Sequence, residues 1–326
     1  MKRKILKMLR NAKNHVSGQE ICDALGVSRT AVWKAVNALK AEGYGIEAVQ
    51  NRGYRLVDAP DVLTEAEIGS FRRDIWAEAP LVVFGETDST NTQANLLAES
   101  GSPEGTLVVA DVQTSGKGRR GRTWINPPGQ QVAMSFILRP HFAPDRASML
   151  TLIAAMAGRG AIAELTGTAP AIKWPNDLVM NGRKLCGILT EMKLEEYDIA
   201  HIIVGMGFNV GQEEFPEELA DRATSLFRET GKRWSRAALC ALVMDYFARY
   251  YRRFEEEQNL GFLREEYNAC LAGLGKEVRV LAPEAEWTGT SLGINEAGEL
   301  LVRHEGGEVE ALSSGEISVR GIYGYV

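Results

Sequence analysis

The sequence predicts an α+β fold in three pieces, and three observations predict it. The first 60 residues run helix, helix, helix, hairpin. From Pro60 onward strands outnumber helices and do not alternate with them, which favours a mostly antiparallel or mixed sheet over a doubly wound one. After Gly275 the chain breaks into short β segments between turn residues, the texture of a small β-barrel. A chain of 326 residues is long enough for two or three domains of about 150 residues each. We draw the boundaries at 1–60, 61–273 and 274–326.

In the first piece, Ile5, Leu6 and Leu9 mark an amphipathic helix ending near Asn14. Ser17-Gly18-Gln19-Glu20 fits a capping box and opens a short helix through Leu25. Gly26-Val27-Ser28 makes a turn, and Ser28 caps a third helix from Arg29 to about Glu42. Val32, Val36 and Leu39 give that helix a buried stripe, leaving Arg29, Thr30, Trp33, Lys34 and Asn37 on its other faces. IEAVQNRGYRLVD then reads as two strands joined by Gln50-Asn51-Arg52-Gly53. The whole describes a winged helix-turn-helix, with Arg29, Thr30 and Lys34 entering a DNA major groove and Arg52 on the wing reaching a phosphate.

Charge points the same way. The net charge is −6, yet residues 1 to 57 hold eleven Lys and Arg against four Asp and Glu, a balance of +7 that leaves −13 for the remainder. Only the head is expected to meet a polyanion. A helical domain with a solvated basic face, or one that binds protein, is the plainer reading of the same pattern.

In the middle piece, residues 81–86, 106–111, 131–138, 184–192 and 199–210 read as strands, with helices at about 90–100, 145–166 and 235–257. The longest apolar stretch, residues 149 to 165, is interrupted by Arg159 and is expected to be a buried helix rather than a membrane span. The basic start has no apolar region after it, so the chain is expected to be cytoplasmic, with no membrane partner. Cys22, Cys186, Cys240 and Cys270 are scattered, and the four histidines form no ligand cluster. Reduced thiols are expected, without zinc or disulfides.

Residues 114 to 124 read TSGKGRRGRTW. The stretch is neither a Walker A motif nor a GxGxxG that opens a helix. Its glycines let the backbone approach a ligand, while Lys117, Arg119, Arg120 and Arg122 suit phosphate or carboxylate oxygens. Four like charges so close repel one another, so an anion is expected to order a mobile loop, and Trp124 offers a face for a base. A loop that merely happens to be basic stays open on these residues alone. Lys173-Trp174-Pro175-Asn176-Asp177, with Lys184 after a turn at Asn181-Gly182, suits a metal-bound phosphate or a proton acceptor, or simply turns the chain. Thr87-Asp88-Ser89-Thr90-Asn91-Thr92 offers hydroxyls to a ligand, or only an N-cap to the helix at about 90.

Taken together, DSTN from Asp88, Q-T-x-G-K-G-R-x-G-R-x-W from Gln113, KWPNDL from Lys173, K-L-x-G-I-L-x-E from Lys184, GxGxN from Gly205 and GEISVR ending at Arg320 resemble the bacterial bifunctional biotin–protein ligase and biotin operon repressor family. The resemblance covers nearly the whole chain. It implies a central ligase domain, a C-terminal SH3-like barrel, and an enzyme that makes biotinyl-5′-AMP from biotin and ATP with Mg²⁺. The biotin then passes to a lysine of a biotin carboxyl carrier protein. It also implies a homodimer that binds operator DNA with the adenylate as corepressor.

Residue by residue, the resemblance places Ser89, Thr90, Asn91, Gln113, Gly116, Arg119, Arg120, Arg122, Lys184, Gly187, Gly205 and Gly207 around biotin. It places Lys117, Arg119, Arg122, Trp124, Asn176, Asp177 and Arg320 on the ATP side, with Glu316 near the nucleotide. Lys184, Arg119 and Asp177 are the expected catalytic residues, and Asp177 the metal ligand and a plausible proton acceptor. Lys117 stands where the commonest form of the loop has Arg, keeping the charge without the fork. A lipoate or octanoate ligase, and a biotin-sensing transcription factor without catalysis, are the rival readings.

Overall fold

The computed structural model describes residues 1–73, 75–125, 127–282, 286–313, 318–321 and 325. The N-terminal piece consists of α1 (Lys2–Asn11), α2 (Gly18–Leu25), α3 (Arg29–Ala41), β1 (Gly45–Val49) and β2 (Gly53–Asp58). The Ser17 hydroxyl accepts the Glu20 N–H at 3.0 Å and the Ser28 hydroxyl the Ala31 N–H at 3.2 Å. Each such cap is worth about 1 kcal/mol. Ile5, Leu6, Leu9, Ile21, Val36 and Leu39 form a core of their own. The wing is tied down where Val16 and Tyr54 exchange backbone hydrogen bonds of 2.8 Å. Gly53 beside them has φ 103°, and a methyl group there would lie 2.0 Å from the Val16 carbonyl oxygen, so only glycine fits.

The central piece adds α4 (Glu65–Phe71), β3 (Leu81–Thr87), α5 (Thr90–Glu99), β4 (Leu107–Gln113), β5 (Gln131–Leu138), α6 (Met149–Thr166), β6 (Ala171–Lys173), β7 (Asp177–Met180), β8 (Arg183–Glu195), β9 (Asp198–Asn209), α7 (Leu226–Thr230), α8 (Arg236–Glu257) and α9 (Arg264–Ala269). Among the described residues the strands make one sheet in the order β3-β4-β5-β9-β8-β7-β6. The β3–β4 pair is parallel, with α5 as its crossover, and the other pairs are antiparallel. The sequence reading had no helix at 65–71, although Thr64 and Glu67 stand at capping-box spacing and the Thr64 hydroxyl accepts the Glu67 N–H at 3.1 Å. It also passed over β6, β7, α7 and α9, all too short to show a period.

Alternation along the strands divides the sheet into two unlike faces. Val132, Met134 and Phe136 of β5 and Val204, Met206 and Phe208 of β9 join the core under α6 and α8. The helix α6 has the length and apolar composition of a membrane span, and it is the buried helix of this core. On the other face stand Ala133 and Ser135, paired with Gly207 and Gly205, which pair in turn with Gly187 and Leu189. Farther along, Ala94 and Ala98 of α5 cover Val108, Ile137 and Ile203. A floor of small residues is thus left beside the N-terminus of α5.

The C-terminal strands are β10 (Glu277–Leu281), β11 (Glu286–Ile294), β12 (Leu300–Arg303), β13 (Val309–Leu312) and β14 (Ser318–Gly321), an antiparallel sheet in the order β13-β12-β11-β10-β14. Val278, Val280, Leu300 and Val319 belong to the same core as α6 and α8, and the Trp174 indole donates to the Gly298 carbonyl at 3.1 Å. Ala66 of α4 packs against the winged helix's own core, and polar contacts join the two as well. Glu67 on α4, 2% exposed, is ion-paired with Arg10 and accepts the Tyr44 hydroxyl at 2.9 Å. All four cysteines are free and buried.

Candidate functional site

Two cavities meet over the small-residue floor. The smaller, of about 50 Å³, is lined by Ser89, Thr90, Asn91, Gln113, Lys117, Arg119, Trp124, Lys184, Gly187, Gly205 and Gly207. The larger, of about 1300 Å³, is lined by Arg119, Arg120, Arg122, Trp124, Lys173, Asn176, Asp177, Lys184, Arg320 and Tyr325. Gly118, Arg119, Trp124, Asn176 and Lys184 line both, so they form the wall between the two.

At the floor, Gln113 does what an N-cap does elsewhere. Its Oε1 accepts the Thr90 N–H at 2.7 Å and the Thr90 hydroxyl at 3.1 Å. Ser89 occupies the N-cap position without a side-chain cap bond, so its hydroxyl is not spent on the helix. Asn91 donates to Glu191 at 2.6 Å, while the Ser135 hydroxyl lies 2.8 Å from Thr90 Oγ1 and 2.6 Å from Asn91 Oδ1. Glu191 closes the K-L-x-G-I-L-x-E run but was given no role there, and Ser135 was missed by the sequence reading. Their signal was present in the alternation that puts them on the floor's face.

Gly205 and Gly207, expected around biotin, are covered by side chains of the site itself. A methyl group at Gly205 would lie 1.9 Å from Asn91 Oδ1, and one at Gly207 2.5 Å from the Trp124 ring. Trp124 lies over the floor, its indole N–H donating to Gln131 at 2.9 Å. The smaller cavity has room for about two waters, and Trp124 forms part of its wall.

The basic loop follows a definite path. Lys117 bridges Thr123, the Gly118 N–H donates to the Arg122 carbonyl at 2.7 Å, and the Trp124 N–H to the Gly116 carbonyl at 2.8 Å. The chain reverses at Arg120 and Gly121, with φ of 60° and 72°. The reversal sends neighbouring side chains to opposite sides. Lys117, expected at the nucleotide, lines the smaller cavity; Arg120, expected around biotin, lines the larger, as does Arg122, expected on both sides. Gly116 packs on Trp124 and Gln113. Arg119 spans both sides and donates to Asn176 Oδ1 at 3.1 Å. Asn176 is pinned further by donating to the Ile188 carbonyl at 3.0 Å.

Lys184 Nζ lies 2.6 Å from Asp177 Oδ1, and the Tyr325 hydroxyl donates to Asp177 Oδ2. Burial alone would push the Asp177 carboxyl up, but Lys184, Lys173 and the hydrogen bonds from Lys184 and Tyr325 hold it below the usual carboxylate range. Burial pulls the Lys173 ammonium down to about 8, with Lys184, Arg320 and Arg122 adding to the effect and Asp177 opposing it. Lys173 and Tyr325 were not among the expected site residues. The first stands in the KWPND run itself; the second carries no signal in sequence. Both Asp177 oxygens are engaged, and among the described residues no group of three or more His, Cys, Asp or Glu is placed to hold a metal ion. The expected metal ligand is thus occupied by protein groups in this conformation. Glu316 lies outside the described residues.

On the winged helix, Arg29, Thr30, Trp33 and Lys34 are exposed on α3 and Arg52 on the wing. Arg29 donates to Gln19 of α2 at 2.9 and 3.2 Å, which fixes it at the start of α3.

Known proteins are similar to this chain. An HTH domain matches residues 2–55, the Biotin/lipoate A/B protein ligase family residues 83–209, and the Biotin protein ligase C terminal domain residues 273–320. The chain is 39% identical to the bifunctional ligase/repressor BirA of Bacillus subtilis over 98% of both chains. It is 29% identical to the Escherichia coli protein of that name, over 97% of this chain and 96% of that one. The structure of the biotin protein ligase from Aquifex aeolicus in complex with biotin and ATP is similar with a TM-score of 0.65 at 34% identity, covering 74% of this chain and 99% of that one. The chain belongs to the biotin protein ligase family, among its bifunctional ligase/repressor members.

Proposed function

We propose that this chain joins biotin to ATP, forming biotinyl-5′-AMP and pyrophosphate, transfers the biotin to a lysine of a biotin carboxyl carrier protein, and represses transcription with the adenylate as corepressor. The observation that carries the reading is the cationic wall between the two cavities, formed with Arg119 and Lys184. In the first step a biotin carboxylate oxygen bonds to the α-phosphorus and the bond to pyrophosphate breaks. Two anions must approach each other, and fixed cations where charge builds up are what this chemistry needs. In the second step the carrier's amine attacks the acyl carbon and AMP leaves.

Ser89, Thr90, Asn91 and Gln113, above the floor of Gly187, Gly205 and Gly207, suit the polar end of biotin. Lys117 and Arg119, with Gly116 as the hinge against Trp124, belong to the lid on that side; Arg120, Arg122, Asn176 and Arg320 face the nucleotide. Trp124 leaves the floor when biotin enters and offers its face to the adenine. Mg²⁺ enters as part of the MgATP substrate. Asp177 organises Lys184 and Lys173, and a carboxylate held below its usual range is a poor proton acceptor for the transfer step.

The domain division at 1–60, 61–273 and 274–326 goes with these roles. Arg29, Thr30 and Lys34 read the operator from α3, and Arg52 holds a phosphate from the wing. The homodimer forms along β8, which β7 pairs only as far as Gly187 and which exposes Met192 and Leu194 beyond that point. Met192→Arg should leave a monomer in sedimentation at concentrations where the parent with biotinyl-AMP is a dimer. The cytoplasm is where such a protein meets both operator and carrier.

The deciding experiment is ATP–pyrophosphate exchange with biotin, octanoate, lipoate or no acid. Exchange with biotin alone is expected; exchange with octanoate or lipoate makes the chain a ligase of the other kind. Gel shifts on the chain's own promoter region with and without biotinyl-AMP test repression, and an unshifted band in both lanes would remove that half of the reading.

A further inference from the structure

Tyr325 is the last residue but one, yet its side chain lines the larger cavity. Its hydroxyl donates to Asp177 Oδ2, and the Lys173 ammonium stands 3.7 Å from its ring centroid. The other oxygen of Asp177 holds Lys184 Nζ at 2.6 Å. One residue from beyond β14 therefore joins the end of β6, the start of β7 and the start of β8. The chemistry suits a phenol and little else. A buried carboxylate oxygen needs a donor, which phenylalanine lacks. A further cation would join Lys173, Lys184, Arg122 and Arg320, which already crowd the cavity. The ring also gives Lys173 a cation–π partner, which another hydroxyl donor such as serine would not.

We propose that Tyr325 is a positioning residue of the ligase site, holding Asp177 and Lys173 in place on the nucleotide side. The inference rests on the ligase reading above. Tyr325 acts through Asp177 and Lys173, and so indirectly through Lys184, without contact to the reacting atoms.

The test uses the full-length protein, Tyr325→Phe and Tyr325→Ala, with ATP–pyrophosphate exchange at varied ATP and varied biotin. Tyr325→Phe keeps the ring under Lys173 and loses the bond to Asp177. It is expected to raise the KM for ATP about three- to tenfold, a part of the roughly tenfold or more that one hydrogen bond to a charged group is worth, since Tyr325 acts through Asp177, with the KM for biotin within about twofold of the parent. Tyr325→Ala loses both contacts and should raise it further, while its thermal midpoint stays close to the parent's. Parent-like constants in both variants would overturn the proposal, as would an equal rise in both KM values, the mark of general loosening. A fall in the KM for ATP would also overturn it, because the phenol would then be standing in the nucleotide's place. No biotin-dependent exchange by the parent would sink the ligase reading itself, an outcome distinct from these.

Discussion

Lys184 and Asp177 sit on the same side of the β7–β8 pair because the ladder contains one extra residue. Asp177 pairs with Gly187 and Leu178 with Cys186, but Val179 pairs with Lys184, leaving Leu185 over. Without that bulge, Lys184 and Gly187, three apart, would face opposite sides of the sheet. With it, Lys184 Nζ reaches both Asp177 and the space above Gly187. Lys184→Met should therefore lower kcat for biotin-dependent exchange by about 10²- to 10³-fold, the usual loss for one preorganised donor at a developing charge. A rate within threefold of the parent would mean that Lys184 serves structure only.

The position of Lys173 gives a pH dependence with a definite sign. Its ammonium is charged below about 8 and neutral above. If the charge helps bind ATP, kcat/KM for ATP falls as pH rises through about 8, since that ratio reports groups of the free enzyme. Lys173→Arg, charged throughout, should flatten this limb. Profiles of parent and variant between pH 7 and 9.5 would decide it; an identical alkaline limb in both places the titrating group elsewhere.

Gly205 and Asn91 are packed so closely that an added methyl group would lie 1.9 Å from Asn91 Oδ1. Gly205→Ala must push Asn91 away from Ser135 and Glu191, an overpacking that costs about 1–3 kcal/mol. The KM for biotin should rise about tenfold or more while that for ATP changes little. Equal effects on the two substrates would remove the assignment of this floor to biotin.

Arg236 is 4% exposed and carries three links. It binds Asp61, in the linker after the winged helix, at 2.9 Å; it pairs with Asp111 on β4; and it donates to the Gln131 carbonyl at 3.2 Å. Arg236→Met removes these links from a buried guanidinium, and because the Asp61 and Asp111 side chains are 44% and 32% exposed and stay solvated, it should cost about 1–3 kcal/mol in urea unfolding. A loss under 1 kcal/mol would mean that solvent replaces the guanidinium.

Much of the fold was legible in the sequence because local rules settle it. Ser17 and Ser28 cap their helices, Asn51 and Gly53 take the positive φ of the wing turn, and β5 reads as one apolar run because both its faces are covered. Thr64 and Glu67 obeyed the same rules and were passed over, since α4 is too short to show a period. The basic loop and the KWPND run were legible as anion chemistry, because clustered cations of this kind have few structural uses.

What the sequence determined by itself was the set of elements, the basic head, and the residue types that the site would draw on. The tertiary structure alone decided which of them meet. The bulge at Leu185 brings Lys184 to Asp177 against the alternation of the strand. The reversal at Arg120 and Gly121 divides the loop's cations between two cavities. Tyr325 arrives at Asp177 from 148 residues away. Caps and periodicities are energies among near neighbours, which a sequence displays directly. A bulge, a loop reversal and a contact across the chain depend on the whole packed sheet, and no single stretch contains that information.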